Sequence, residues 1–121
     1  MIVIDTPVWI DNFAKPDARL ADLVDDVAEL VHPYVIGEVA LGSLRHRDAT
    51  ITYMSTFFAP VKATDFEVLQ VIKRHNLGGS GIGWVDAHLL TSTLITVDAK
   101  LWTRDKRLAR AAEQLGVGFV G

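Results

Sequence analysis

Short apolar runs in this chain alternate with longer segments in which apolar residues recur with a helical period. Residues 2–4 form a continuous apolar run, Ile-Val-Ile, which is typical of a strand buried on both faces of a sheet. Apolar residues spaced by three or four positions predict an amphipathic helix over residues 17–30. Between these segments, Thr6 and Pro7 predict a helix capped by Thr6, with Pro7 at its first helical position.

The same alternation continues to the end of the chain. A glycine-rich loop is predicted at residues 78–83, and the spacing of Thr64 and Glu67 predicts a capping box. Further helices are predicted over residues 35–44, 49–58, 64–75, 84–94 and 108–115, and short strands over residues 60–63, 100–103 and 117–120. Buried strands that alternate with helices indicate an α/β fold whose parallel sheet is covered on both faces. Because no repeat or linker interrupts the 121 residues, we expect a single domain, residues 1–121.

Composition excludes several classes of protein. Half of the residues are hydrophobic, which is too many for a disordered chain. The absence of cysteine excludes disulfides, thiolate metal sites and a cysteine nucleophile. No stretch approaches the roughly eighteen uncharged apolar residues of a membrane helix, and the first five residues end in Asp5 and carry no base, unlike a secretion signal. We therefore expect a soluble, cytoplasmic protein.

The net charge of −3 conceals an uneven distribution of acids and bases. Residues 1–38 contain eight acids and two bases, whereas residues 39–121 contain seven acids and ten bases. This asymmetry is compatible with a polyanion that is bound through a metal ion and a local basic rim. A run of bases late in the chain is either a solvated helix face or a set of phosphate contacts. Its members are Arg104, Lys106, Arg107 and Arg110.

Four carboxylates lie at junctions between predicted elements. Asp5 follows the first strand, and Asp105 follows the strand near residues 100–103. Asp86 lies in the first turn of the helix after the glycine loop, and Glu38 lies near the start of the helix that begins after Pro33. Functional groups in such sheets gather at the carboxyl ends of the strands, so these four side chains can point to one place. Taken singly, Asp105 also has the position of an ordinary helix cap, and Glu38 that of a solvated helix residue.

Clustered carboxylates repel one another unless a cation neutralises them. Oxygen ligands without sulfur or imidazole select Mg²⁺ or Mn²⁺ over zinc. Such ions activate water and stabilise an in-line displacement at phosphorus. The residues themselves thus indicate a metal-dependent phosphoryl-transfer or hydrolysis site.

Other motifs carry less chemistry. The loop at residues 78–83 lacks the Gly-Lys-Ser/Thr ending of a phosphate-binding loop, because Trp84 follows Gly83, and a plain loop is the expected structure. The histidines have no metal-ligand spacing and are expected at the surface or partly buried. They are His32, His46, His75 and His88.

Four blocks of the chain, taken together, match a known family. They are Ile-Val-Ile-Asp-Thr at residues 2–6, Val-Ile-Gly-Glu-Val-Ala-Leu-Gly at 35–42, Gly-Ile-Gly-Trp-Val-Asp-Ala-His-Leu-Leu at 81–90 and Leu-Trp-Thr-Arg-Asp-Lys-Arg-Leu at 101–108. In this order they resemble the PIN-domain ribonucleases, and most of all the VapC-type toxins of toxin–antitoxin pairs. The resemblance spans essentially the whole chain, and its last two blocks are the most specific.

This resemblance implies a three-layer α/β/α sandwich on a short parallel sheet and a Mg²⁺-dependent endoribonuclease in which Mn²⁺ can substitute. It also implies a homodimer, an RNA substrate and a small VapB-type antitoxin encoded beside the chain. The residues that match the acidic metal site of the family are Asp5, Glu38, Asp86 and Asp105. The chain departs from the family at Pro7, where a serine is usual, which leaves Thr6 and Thr103 as the hydroxyls expected to orient a carboxylate or a water.

Proteins of other classes share parts of this pattern. A phosphoacceptor receiver domain has a similar length, but it would have a pair of acids at the end of the first strand, where Ile4 precedes Asp5. A haloacid-dehalogenase-like phosphatase would have an Asp at position 7, where this chain has Pro7. A catalytically weak or silent PIN-like binding module, and a stand-alone RNA-processing nuclease, remain as alternatives to the toxin.

Overall fold

A short parallel sheet forms the centre of the fold. The computed structural model describes residues 1–20 and 28–119. The strands are β1 (Ile2–Ile4), β2 (Glu29–Leu30) and β3 (Lys100–Trp102), in the order β2-β1-β3. Val3 is opposite Leu30 on one side and Leu101 on the other, and both pairings are parallel. The predicted α/β class with a parallel sheet is therefore confirmed.

Two isolated bridges extend this sheet on either side. Phe58 pairs with Leu30 beside β2, and Gly118 pairs with Leu101 beside β3. The predicted strand at residues 60–63 is wrong, because its amides bind side chains of a helix instead of a neighbouring strand. Val61 N donates to Thr96 Oγ1 and Ala63 N to Ser92 Oγ. The predicted strand at 117–120 is reduced to the bridge at Gly118, and residue 120 lies outside the described residues.

Helices cover the sheet in the order that the apolar period predicts. Every helix predicted after residue 33 is present within a few residues of its predicted bounds. The bounds are α1 (Thr6–Ala14), α2 (Pro33–Leu41), α3 (Arg47–Met54), α4 (Asp65–Arg74), α5 (Trp84–Ile95) and α6 (Lys106–Gln114).

The predicted helix over residues 17–30 is wrong at its carboxyl end. Residues 18–20 are helical, residues 21–27 lie outside the described residues, and Glu29 and Leu30 form β2. Leu30 and Val31 are both buried, as expected of a strand at the centre of a fold. A short apolar pair fits the end of an amphipathic helix and the start of a buried strand equally well, so the period alone did not separate them.

Local hydrogen bonds define where the helices begin. The capping box of α4 is confirmed, since Thr64 and Glu67 bind each other's backbone amides. The predicted cap of α1 is displaced by one residue. Asp5, rather than Thr6, is the N-cap residue, because its carboxylate accepts a hydrogen bond from the Thr6 amide, and Pro7 is the second helical residue. One of the four candidate carboxylates therefore also begins α1.

The apolar core surrounds β1, β3 and α5. Val3, Ile4 and Leu101 in the strands are buried to at least 99%. Residues 87–93 of α5 are all buried, including polar side chains, so this part of α5 packs within the core. No helix of the described residues is long and apolar enough to cross a membrane.

Candidate active site

Asp5 is held rigidly at the carboxyl end of β1. Its amide donates to the Trp102 carbonyl of β3 at 2.9 Å, so the chain is still paired with the sheet at this residue. Its Oδ1 accepts from the Thr6 amide and its Oδ2 accepts from the Thr103 hydroxyl, each at 2.7 Å. The side chain is nearly buried. Burial raises the pKa of Asp5, and the hydrogen bonds from Thr103 and Thr6 oppose this increase.

Thr6 connects Asp5 to the second candidate carboxylate. Its hydroxyl donates to Glu38 Oε1 at 2.8 Å, across 32 positions of sequence. Glu38 lies on α2 and is exposed, so this contact holds its side chain over the amino end of α1. Both hydroxyls singled out in the sequence, Thr6 and Thr103, thus bind carboxylates of the candidate site.

Asp86 is close to the other three carboxylates. It lies half-buried in the first turn of α5. Burial first, and then the negative charges of Asp5, Asp105 and Glu38, raise the pKa of Asp86 to about 6. The charges of Glu38 and Asp105 act on Asp5 in the same direction. The structure therefore brings together four acids that lie up to 100 residues apart in the sequence.

Asp105 is a helix cap that also lies near the other candidate acids. Its Oδ1 accepts from the amides of Arg107 and Leu108 and caps α6. Its own amide donates to the Thr103 hydroxyl, which in turn donates to Asp5. The cap uses a single carboxylate oxygen, and Thr103 joins the backbone of one candidate acid to the side chain of another.

The charge of this cluster is not balanced by the described part of the protein. The ion pairs that Arg19 and Arg104 form involve other acids, namely Asp11 and Asp17. No Lys or Arg of the described residues pairs with Asp5, Glu38, Asp86 or Asp105. Like charges held this close favour a bound cation or a bound proton.

The donor chemistry of the site fits a hard cation. All the candidate ligands are carboxylate oxygens, which suit Mg²⁺ or Mn²⁺. Among residues 1–20 and 28–119, no group of three or more Asp, Glu or His side chains is arranged to hold a metal ion directly. Mg²⁺ does not require such a group, because it commonly binds one or two carboxylates and retains several waters.

The basic residues beside the site fall into two groups. Arg104 donates to the carboxylates of Asp11 and Asp17 and is therefore already paired. The predicted phosphate contacts Lys106, Arg107 and Arg110 are exposed on α6 and form no ion pair with the described residues.

Sequence reasoning missed two buried histidines. His32 and His88 are fully buried, whereas His46 and His75 are exposed as expected. His32 Nδ1 accepts from the Tyr34 amide and begins α2, the helix that bears Glu38. The position of His32 directly before Pro33 was the available signal, because a residue that precedes a proline at a helix start often caps the helix.

Two curated proteins are similar to this chain over nearly its whole length. Each is 44% identical over 119 residues, which is 98% of this chain and 96% of the relative. Both are named Ribonuclease VapC32, from Mycobacterium tuberculosis strains CDC 1551 / Oshkosh and ATCC 25618 / H37Rv. No protein-family model and no solved structure matches the chain. Identity of this extent confirms the resemblance carried by the four sequence blocks, and the chain belongs to the VapC family of PIN-domain ribonucleases.

Proposed function

We propose that this protein is the toxin of a toxin–antitoxin pair, a Mg²⁺-dependent endoribonuclease whose metal site is lined by Asp5, Glu38, Asp86 and Asp105. The observation that carries this proposal is the convergence of four carboxylates without a compensating cation from the described residues. The relatives named as ribonucleases give the reaction class. RNA phosphodiesters supply both the anionic substrate and the bond that such a site hydrolyses.

The four acids contribute differently to the proposed reaction. Asp5 is the most rigid, because both of its oxygens and its amide are hydrogen bonded. Glu38 is oriented by the Thr6 hydroxyl. The negative charges of the other three carboxylates destabilise the ionised form of Asp86. When bound, Mg²⁺ or Mn²⁺ would lower the pKa of a water and offset the charge that develops on the phosphate.

The direct test is substitution of Asp5 or Asp86 by Asn. Each change removes a ligand charge and keeps the shape of the side chain. We expect metal-dependent RNA cleavage to fall by at least about 100-fold. Loss of a residue that only orients a metal ligand usually costs about 10- to 100-fold, and loss of the ligand itself should cost more. Thermal stability without metal should stay equal or rise in Asp86→Asn, because repulsion between carboxylates is relieved. Asp5→Asn also loses one of the two oxygens that accept from Thr6 and Thr103, which offsets this gain.

Controls separate the site from a general effect of charge. Asp48→Asn removes an exposed acid from the first turn of α3, and it should retain wild-type cleavage. EDTA should abolish cleavage by the wild-type chain, and added Mg²⁺ or Mn²⁺ should restore it. Wild-type rates in both site variants would contradict the proposed site.

The proposed partners follow from the family and from exposed apolar side chains. We propose a homodimer that is neutralised by a small VapB-type antitoxin in the cytoplasm. Exposed apolar residues near α1, α2 and α3 support self-association, among them Ile10, Leu41 and Tyr53. Light scattering should give twice the mass of the chain, and the product of the adjacent gene should suppress cleavage. A monomer at micromolar concentration would contradict the dimer, and full cleavage with that product in excess would favour a stand-alone RNA-processing nuclease.

A further inference from the structure

An apolar pocket lies on the glycine loop, between the end of α4 and the start of α5. Its volume is about 210 Å³, and its walls include Ile72, Leu77, Ile82 and Trp84 together with glycines of the loop. The volume is below the range of about 300–1,000 Å³ of pockets that hold drug-sized ligands. The pocket therefore suits one planar ring system rather than a whole nucleotide or a folded segment.

Trp84 gives this pocket a fixed aromatic wall. Trp84 is 46% exposed although it is a large apolar residue. It lies nearly perpendicular to the buried ring of His88, with ring centroids 4.7 Å apart. The indole is thus positioned by a contact from within the fold and remains accessible to a ligand, which reduces the entropy that binding would cost.

The glycines of the loop add no side chains to the wall of the pocket. A Cβ atom at Gly78, Gly79 or Gly83 would meet nothing within 4 Å, so the space beside these residues is open. Gly79 and Gly81 also have positive φ angles of 78° and 86°, which favour glycine. At these positions the loop contributes only backbone to the wall of the pocket.

Arg107 lies between the pocket and the candidate active site. A Cβ at Gly81 would lie 2.9 Å from Cδ of Arg107, so this arginine lies directly against the loop. The amide of Arg107 donates to Asp105 Oδ1, one of the candidate metal ligands. Trp84 itself is two residues before Asp86 on α5. Arg107 therefore lies between the glycine loop and Asp105, and α5 begins with both a wall of the pocket and a candidate acid.

RNA carries the chemical groups that an apolar pocket beside a basic residue would bind. Each nucleotide carries an anionic phosphate and a planar base, and bases that are not paired commonly stack on aromatic side chains. We propose that this pocket binds a nucleobase of the RNA next to the cleaved phosphodiester, stacked on Trp84, with Arg107 on the intervening phosphate. This inference rests on the proposed ribonuclease function and adds to it a subsite for one base.

Fluorescence tests the pocket separately from catalysis. Trp84 is the one exposed tryptophan of three, since Trp9 and Trp102 are only 1% and 5% exposed. Titration of the full chain with a single-stranded RNA oligonucleotide should quench this emission. An abasic oligonucleotide with the same number of phosphates should bind more weakly and quench little. Equal quenching by both would contradict a base in the pocket.

Substitutions of Trp84 complete the test. Trp84→Leu keeps an apolar side chain but removes the stacking surface, and it should weaken RNA binding by about 10- to 100-fold, as aromatic removal does at other stacking sites. Trp84→Phe should retain most of the affinity. Phe58→Leu is the matched control, because Phe58 is also an exposed aromatic residue but lies at the far edge of the sheet beside β2.

The outcomes distinguish this inference from the function on which it rests. If Trp84→Leu binds and cleaves RNA like the wild type, the base pocket is wrong and the ribonuclease stands. If the wild-type chain neither binds nor cleaves RNA with metal present, both are wrong. If the product of the adjacent gene quenches Trp84 and RNA does not, the pocket belongs to a protein partner and the base subsite is wrong.

Discussion

His32 begins α2 with an imidazole, where Ser, Thr, Asp or Asn is more usual. Its Nδ1 accepts from the Tyr34 amide at 2.9 Å, which requires an unprotonated Nδ1 and places the proton of the neutral ring on Nε2. Burial, with smaller effects of His88 and Lys62, lowers the pKa of His32 to about 4. Protonation of His32 would therefore remove the cap of the helix that bears Glu38.

Substitution of His32 by Asn should reduce the sensitivity of the fold to acid. Asparagine still caps a helix, but it does not titrate. The folded pKa of about 4 is below the unfolded value of 6.5, so the wild type loses stability as pH falls from 6.5 towards 4. Between pH 7.5 and 4.5, the wild type should lose roughly 2 kcal/mol more than His32→Asn in urea unfolding.

A matched variant identifies the histidine responsible. His75 is exposed at the end of α4, so His75→Asn should follow the wild type across the same pH range. Parallel pH profiles for the wild type and His32→Asn would contradict a buried neutral His32.

Glu29 is a second buried ionisable group outside the candidate site. It lies in β2 opposite Ile2, and its Oε1 has no hydrogen-bond partner among the described residues. Burial raises the pKa of Glu29 to about 6 from 4.5. Glu29 therefore binds its proton more tightly in the folded than in the unfolded chain. The stability that this proton gives the fold is present below pH 4.5 and is lost as pH rises through 6.

Substitution of Glu29 by Gln should stabilise the protein in alkaline solution. The amide keeps the shape of the protonated acid and cannot ionise. We expect the variant to be about 1–2 kcal/mol more stable than the wild type at pH 8 and nearly equal to it at pH 4. The free energy of unfolding at the two pH values checks this, and a difference that does not change with pH would refute the assignment.

At the scale of elements, helices with local signals were predictable, and pairing between distant segments was not. Thr64 with Glu67 marks the start of α4, and Gly116, with φ of 77°, follows the end of α6. The segment at residues 60–63 has strand-like composition, but two of its amides bind hydroxyls in α5 and directly after it, which are distant in sequence. Such a choice between two partners depends on tertiary structure and leaves no local pattern.

The candidate site could also be predicted only where its signals are local in the sequence. The positions of Asp5 and Asp105 after strands were readable from the apolar runs, because parallel strands end at one edge of the sheet. Their coupling to Asp86 and Glu38 depends on how α2 and α5 pack, which only the structure provides. The pocket beside Trp84 was not predicted, since a glycine-rich loop gives no information about the space that it encloses.

Loss of the Thr103 hydroxyl should weaken the contacts that orient Asp5 and Asp105 at the ends of β1 and β3. Thr103→Val keeps the side-chain shape but removes the donor to Asp5 Oδ2 and the acceptor of the Asp105 amide. The hydrogen bond from the Thr103 hydroxyl opposes the increase in the pKa of Asp5. Without it, Asp5 is less readily ionised and less well oriented, so cleavage should fall by about 10- to 100-fold. Thr52→Val, on an exposed part of α3, should leave cleavage unchanged. Equal cleavage by both variants would exclude a positioning role for Thr103.

At the scale of the whole molecule, acids and bases are arranged around one edge of the sheet. The carboxylates of the candidate site come from the junction of β1 and α1, from α2 and α5, and from the start of α6. The bases Lys106 and Arg110 lie on α6 beyond Asp105. The protein can therefore attract a polyanion locally although its net charge is −3. The paired Arg104 differs from these bases, because Asp11 and Asp17 already offset its charge.

This difference predicts distinct effects on the salt dependence of RNA binding. Lys106→Ala with Arg110→Ala should weaken binding and lower the slope of log K against log salt by about one unit for each lost phosphate contact. Arg104→Ala should leave the slope unchanged, and its measurable effect should be a small loss of thermal stability, because it removes ion pairs to the end of α1 and to Asp17. Binding of one RNA oligonucleotide across a salt series, with a catalytically inactive chain, measures all three proteins under the same conditions. If instead Arg104→Ala lowers the slope and the double variant does not, Arg104 contacts the phosphates and the assignment of Lys106 and Arg110 to the RNA is wrong.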